Sequence, residues 1–139
     1  MKPFKKSIYL AGAISYFYNI NQKERATAWR TKAVKYFEPY DIKCFNPCVN
    51  SNGDFSDDII AKQNIYYLNQ CDIVLVDLTM INDSVGTIFE LTTAQNNDKL
   101  VVAFGHTPWE QRPHMKYLID VHFDTLEEAM EHIATAYNQ

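Results

Sequence analysis

The chain has 139 residues, 47% hydrophobic and 22% charged, which suits a single domain over 1–139 with a real hydrophobic core. A formal charge of -4, with lysines scattered apart from Lys2, Lys5 and Lys6, excludes the broad basic footprint that a nucleic-acid polymer needs, and no stretch reaches the roughly 20 apolar residues that cross a bilayer. Cys44, Cys48 and Cys71 form an odd set without CxxC spacing, and no signal-peptide pattern stands before them, so a reducing cytoplasm is the expected compartment.

Along the chain, Ser7-Ile8-Tyr9-Leu10-Ala11-Gly12 predicts a first strand ending in a turn. Gln22 to Phe37 follows as a helix with apolar Ala26, Trp29, Ala33, Val34 and Phe37 at helical spacing. Asp41 to Phe45 reads as the second strand, closed by Asn46-Pro47, and Cys48 to Ser56 as a polar loop forming a mobile rim. Asp57 to Gln70 predicts a second helix with acidic residues in its first turn, where they complement the helix dipole. The third strand spans Asp72 to Val76, a third helix runs from Val85 to Asn97, and Leu100 to Phe104 forms the fourth strand before the breaker cluster Gly105 to Pro108. Ile119 to Phe123 is a fifth strand, and Asp124 caps a last helix. Strands alternating with helices imply an α/β fold of right-handed βαβ units, with a parallel sheet of five strands between two helical layers. Ligands of such sheets sit beyond the carboxyl ends of the strands, which directs attention to Gly12 to Asn19, Asn46 to Asp54, Asp77 to Gly86 and Gly105 to His114.

Within those stretches Glu90 follows Gly86 by four residues, one turn into the third helix, where a carboxylate can be aimed into a pocket and can attack a sugar carbon. The same spacing fits an acidic residue held near a helix start by the macrodipole. Ser84 and Asp83 stand where an N-cap belongs, and the free amides there also suit a phosphate or a sugar hydroxyl. Gly12 begins neither GxGxxG nor GxxxxGK[ST], which removes support for NAD and ATP. His106, His114, His122 and His132 lack the close pairing of a zinc site, so no metal and no cofactor is expected. Cys44 and Cys71 fall in strand-like or buried contexts where cysteine is an inert small hydrophobe.

Ile8-Tyr9-Leu10-Ala11-Gly12, Phe45-Asn46-Pro47, Cys71-Asp72-Ile73-Val74-Leu75-Val76-Asp77-Leu78 and Ser84-Val85-Gly86-Thr87-Ile88-Phe89-Glu90-Leu91 together resemble the nucleoside 2-deoxyribosyltransferase family, in the right order over nearly the whole chain. The resemblance implies a flavodoxin-like, Rossmann-like three-layer fold, assembly as dimers or higher homo-oligomers, and cofactor-free cleavage of the N-glycosidic bond. Its partners would be a small-molecule nucleoside or nucleotide and a free nucleobase. It implies Glu90 as nucleophile, giving a covalent glycosyl-enzyme that a second base resolves, with Tyr9 holding the carboxylate in place. Asp77 is expected to contact the base or ribose, the leaving base taking its proton from Asp77, from water or from no efficient donor, and Gly12, Asn64, Ser84 and Gly86 are expected to contact substrate. Where the family has an aspartate, eight residues before Asp72, this chain has Asn64, which has no titratable proton. Six residues before Glu90, nucleoside-specific members carry aspartate and relatives that cleave nucleoside 5'-monophosphates carry serine; here the residue is Ser84. Nucleoside transfer is the first expectation, with nucleotide hydrolysis and a catalytically weak binding module as alternatives.

Overall fold

The computed structural model describes residues 6–50 and 56–137. Lys2, Lys5 and the 51–55 part of the expected rim lie outside the described residues. Five strands form one parallel sheet: β1 (Ser7–Ala11), β2 (Lys43–Phe45), β3 (Ile73–Asp77), β4 (Leu100–Phe104) and β5 (Val121–Phe123), in spatial order β2-β1-β3-β4-β5. Each strand matches its expected position to within two residues. β3 is buried along its whole length, which is why Ile73-Val74-Leu75-Val76 shows no polar alternation: helices cover both faces of a central parallel strand.

The helices are α1 (Ser15–Asn19), α2 (Glu24–Phe37), α3 (Pro47–Asn50), α4 (Asp57–Gln70), α5 (Val85–Asn96), α6 (Pro113–Leu118) and α7 (Leu126–Ala136). α1 and α6 fall in stretches read as connections, and α3 puts a helical turn where the polar loop was expected to begin. All three have six residues or fewer, too few turns to print a periodic apolar stripe in the sequence. The cap of α7 also differs from expectation. Thr125, one residue after Asp124, accepts from the Glu128 amide while the Glu128 side chain reaches back to the Thr125 amide, a reciprocal capping box that satisfies two free donors.

Strand alternation divides the core in two. Tyr9, Ala11, Val74, Val76, Val101 and Ala103 pack with Leu68 of α4, Leu91 and Ala94 of α5, and Met115 and Leu118 of α6. Ile8, Leu10, Ile73, Leu75 and Val102 face Ala33 and Phe37 of α2 and Met130 and Ile133 of α7. Each large apolar side chain buried this way contributes about 1.5–3 kcal/mol relative to exposure. Chain order runs outward from β1 to β2 on one side and from β3 through β4 to β5 on the other, so the sheet reverses between β1 and β3. The crevice for a ligand lies beyond the carboxyl ends of those two strands. No helix among the described residues is long and apolar enough to cross a membrane.

Candidate active site

A cavity of about 850 Å³ opens at that position, between the end of β1, the connection after it, α4 and the start of α5. This lies within the size range of small-molecule sites. Tyr9 and Glu90 meet in its wall: the Tyr9 hydroxyl donates a short hydrogen bond to Glu90 Oε2. Neither group is free to wander. The Tyr9 ring stacks on Phe45 at 5.4 Å, and Phe45 stacks on Tyr67 at 4.2 Å, so an aromatic column from three elements fixes the hydroxyl. Glu90 lies one turn beyond Gly86 on the same face of α5, and the buried Leu91 and Ala94 anchor that helix in the core.

Burial pushes the Glu90 carboxyl up to about 7, against the pull of the Tyr9 hydrogen bond and the positive charge of Arg30. Tyr9 is driven far above its ordinary value, first by burial and then by the Glu90 charge, so it stays a protonated donor. The pair therefore offers one carboxylate oxygen held by a hydroxyl and a second oxygen free to react.

Asp77 stands apart from this pair. It follows the parity of Ile73 and Leu75 along β3, so its side chain leaves the sheet on the α2 side, and it does not line the cavity. Asp77 Oδ1 accepts from the Thr79 amide at 2.9 Å, and burial raises its carboxyl. Two glycines with positive φ close over it. A Cβ on Gly12 (φ 152°) would stand 3.3 Å from Asp77 Cβ, and one on Gly105 (φ 80°) 3.2 Å from Asp77 Oδ1. Arg30 of α2 is fully buried alongside, donating to the carbonyls of Leu10 at 3.2 Å, Gly12 at 3.1 Å and Ala26.

Gly12, Asn64, Ser84 and Gly86 all line the cavity with Tyr9 and Glu90. Ser84 flanks α5 without capping it: its hydroxyl pairs with Thr87 Oγ1 at 2.6 Å and leaves the first amides of α5 without a side-chain partner. A Cβ at Gly86 would meet nothing within 4 Å, so the helix start is open. On α4, Asn64 Oδ1 is buried without a hydrogen-bond partner among the described residues. Of the stretches expected at the strand ends, Gly105 to His114 contributes nothing to the cavity wall.

The model of the nucleoside 2-deoxyribosyltransferase family matches residues 8–129, from β1 into α7. The chain belongs to that family. No curated protein matches it in sequence. Among solved structures it is similar to a 2-desoxiribosyltransferase from Leishmania mexicana at 20% identity, with a TM-score of 0.73 over 95% of this chain and 99% of that one. It is also similar to the 2-deoxyribosyltransferase of Bacillus psychrosaccharolyticus at 19% identity, with a TM-score of 0.67 over 89% of this chain and 90% of that one. The CMP N-glycosidase of Clostridium botulinum is similar at 17% identity, with a TM-score of 0.65 over 92% and 97% of the two chains. These likenesses show a shared fold, and with the family match they support an enzyme of the nucleoside 2-deoxyribosyltransferase or nucleotide N-glycosidase type.

Three residues around this deoxyribosyltransferase-family cavity escaped the sequence reading. Asp58 and Lys62 of α4 line it, because the helix presents i and i+4 on one side. Lys62 thus brings a cation to the cavity wall, and the charge of Arg30 acts on the Tyr9–Glu90 pair from behind. The signal for Arg30 was available. Ala26, Arg30, Ala33 and Phe37 form the buried stripe of α2, so a guanidinium occupies a core position where burial demands hydrogen-bond partners.

Proposed function

We propose that the protein cleaves the N-glycosidic bond of (deoxy)nucleosides and transfers the pentose to a second nucleobase, with Glu90 as nucleophile. The observation that carries this reading is the Tyr9–Glu90 hydrogen bond in the wall of a cavity at the sheet's reversal point. The ionised carboxylate attacks the anomeric carbon as the carbon–nitrogen bond breaks and its electron pair passes to the departing base, which takes a proton from solvent. A ring nitrogen of the incoming base then attacks the same carbon, loses its proton to solvent, and releases Glu90. Two inversions retain configuration, the logic of retaining glycosidases. Tyr9 orients the carboxylate, and Asn64 offers its unpartnered carbonyl to a donor on the base edge. Gly12, Ser84 and Gly86 border the sugar. Asp77 is assigned a positioning role, holding the turn after β1 together with Arg30.

A second reading, hydrolysis of a nucleoside 5'-monophosphate, is favoured by the uncapped start of α5 at Ser84 and by Lys62 on the facing helix, both suited to a phosphate. The exposed Val85 and Phe89 at the cavity edge suit coverage by a second copy in a homo-oligomer, and three free cysteines suit a reducing compartment such as the cytoplasm. Product analysis on a deoxynucleoside and its 5'-monophosphate, each with and without a second free base, tests the assignment. Base exchange on the unphosphorylated substrate is the expected result, and Glu90→Ala removes it. Base release only from the monophosphate, unaffected by added base, selects the hydrolase. Normal turnover by Glu90→Ala rejects both.

A further inference from the structure

Histidines that the sequence separates by 16 positions come together at the carboxyl ends of β4 and β5. Register pairs His122 with Ala103, so the His122 ring stands beside the connection that leaves β4 at Gly105. A tight turn from Thr107 to Glu110 folds Glu110 back onto His106. One ligand atom from each of His106, Glu110 and His122 lies within 4.8 Å of the other two. None of the three lines the catalytic cavity.

We propose that His106, Glu110 and His122 bind a divalent transition-metal ion of the zinc type, at a site distinct from the active site. Two imidazoles and one carboxylate form a borderline nitrogen and oxygen donor set, which suits Zn²⁺ or Co²⁺ rather than the all-oxygen shells of Mg²⁺ and Ca²⁺. With metal–ligand bonds of about 2.0–2.1 Å, tetrahedral ligand atoms stand roughly 3.3 Å apart, so no pair in the cluster has to close by more than about 1.5 Å on binding. The side chain of His106 is 57% exposed, which leaves it room to move.

The surroundings supply the outer contacts of a metal centre. His106 Nε2 lies 3.0 Å from Asp124 Oδ1, and His122 Nε2 lies 2.7 Å from the Gly105 carbonyl oxygen. Glu110 Oε1 accepts from the Thr107 amide at 3.2 Å and faces His106 Nδ1 at 3.0 Å. Ligating histidines characteristically give their other ring N–H to a carboxylate or backbone carbonyl, which fixes the tautomer and turns the remaining lone pair to the metal. Both histidines have such an acceptor. An ordinary ion-pair network around His106 needs Glu110 and Asp124 but has no use for a second imidazole packed at 5.4 Å against the first. Bound there, the ion ties the connection after β4 to the end of β5, using water as its remaining ligand.

Calorimetric titration of the chelator-treated full chain with ZnCl₂, alongside cobalt absorption spectra, tests the assignment. The expected result is one ion per chain, a low-coordinate cobalt spectrum and a higher melting temperature with metal. His122→Ala and Glu110→Gln each weaken binding by at least ten-fold, and Asp124→Asn by roughly ten-fold through its outer contact. His114→Ala, outside the cluster, binds as the parent does. The altered side chains are exposed apart from the half-buried Glu110, and circular dichroism verifies that each variant is folded. Absence of metal binding by the parent chain overturns the proposal. So does binding that survives His106→Ala and His122→Ala together, which places the ion elsewhere, on a cysteine for example.

Discussion

A carboxyl group that burial pushes up to about 7 would be an unusual nucleophile, because much of it is protonated and inert near neutral pH. Activity carried by Glu90 therefore rises with pH through about 7, and kcat/KM against pH reads that ionisation in the free enzyme. The Tyr9 hydrogen bond and the Arg30 charge both pull the group down, so Tyr9→Phe and Arg30→Met each move this limb to higher pH. Tyr9→Phe also costs roughly 10- to 100-fold in kcat by freeing the attacking oxygen. A purely structural role for either residue would lower the melting temperature and leave the limb where it is. Stability moves in the opposite sense to activity. Between 4.5 and about 7 the folded chain holds the Glu90 proton more tightly than the unfolded chain, so the carboxyl's contribution to stability is lost as pH rises through that window. Glu90→Gln, which never ionises, loses at least ~1,000-fold in activity. It is expected to be more stable than the parent at pH 8 by on the order of 1–3 kcal/mol, a difference that vanishes below pH 4.5 in denaturant melts.

The element that shapes the cavity most directly is the first turn of α5. Gly86 has ordinary helical backbone and open space where a Cβ would stand, so nothing in the fold requires glycine there. Gly86→Ala should stabilise the chain by about 0.5–1 kcal/mol through helix propensity while raising KM, because the added methyl projects into the substrate's space. Gly12 is the opposite case. Its φ of 152° and the 3.3 Å approach to Asp77 make Gly12→Ala destabilising, by about 1–3 kcal/mol in the same melts. Spacing alone separates neither outcome, because it places Gly12 in a turn and Gly86 at a helix start without showing the backbone angle or the space beside either. Periodicity did reveal the long elements: the apolar run of β3 and the stripe of α2 are strong signals that tertiary packing reinforces. It failed for α1, α3 and α6, whose few residues owe their helicity to the surfaces beneath them.

At the scale of the whole molecule, what the sequence concealed was direction. Tyr9, Asn64, Ser84, Gly86 and Glu90, which the family resemblance singles out, line one cavity because β1, α4 and the start of α5 turn them to the same side of the sheet. Asp77 stands at an equally good strand end, yet one step of strand parity carries its side chain to the other face. His106 and His122 become neighbours only once β4 and β5 pair. The same view of direction bears on assembly. Val85 is 85% exposed and Phe89 62% exposed, on successive turns of α5 at the cavity edge, and leaving both in water forgoes burial that a partner surface would supply. If a second copy covers this edge, Phe89→Asp places a charge in the contact. Sedimentation velocity should then show smaller species than the parent, and activity should fall with dissociation while the melting profile of the monomer persists. A parent chain that sediments as a monomer at the concentrations of the assay, with full turnover, would mean that the cavity works uncovered and that Phe89 instead meets the substrate directly.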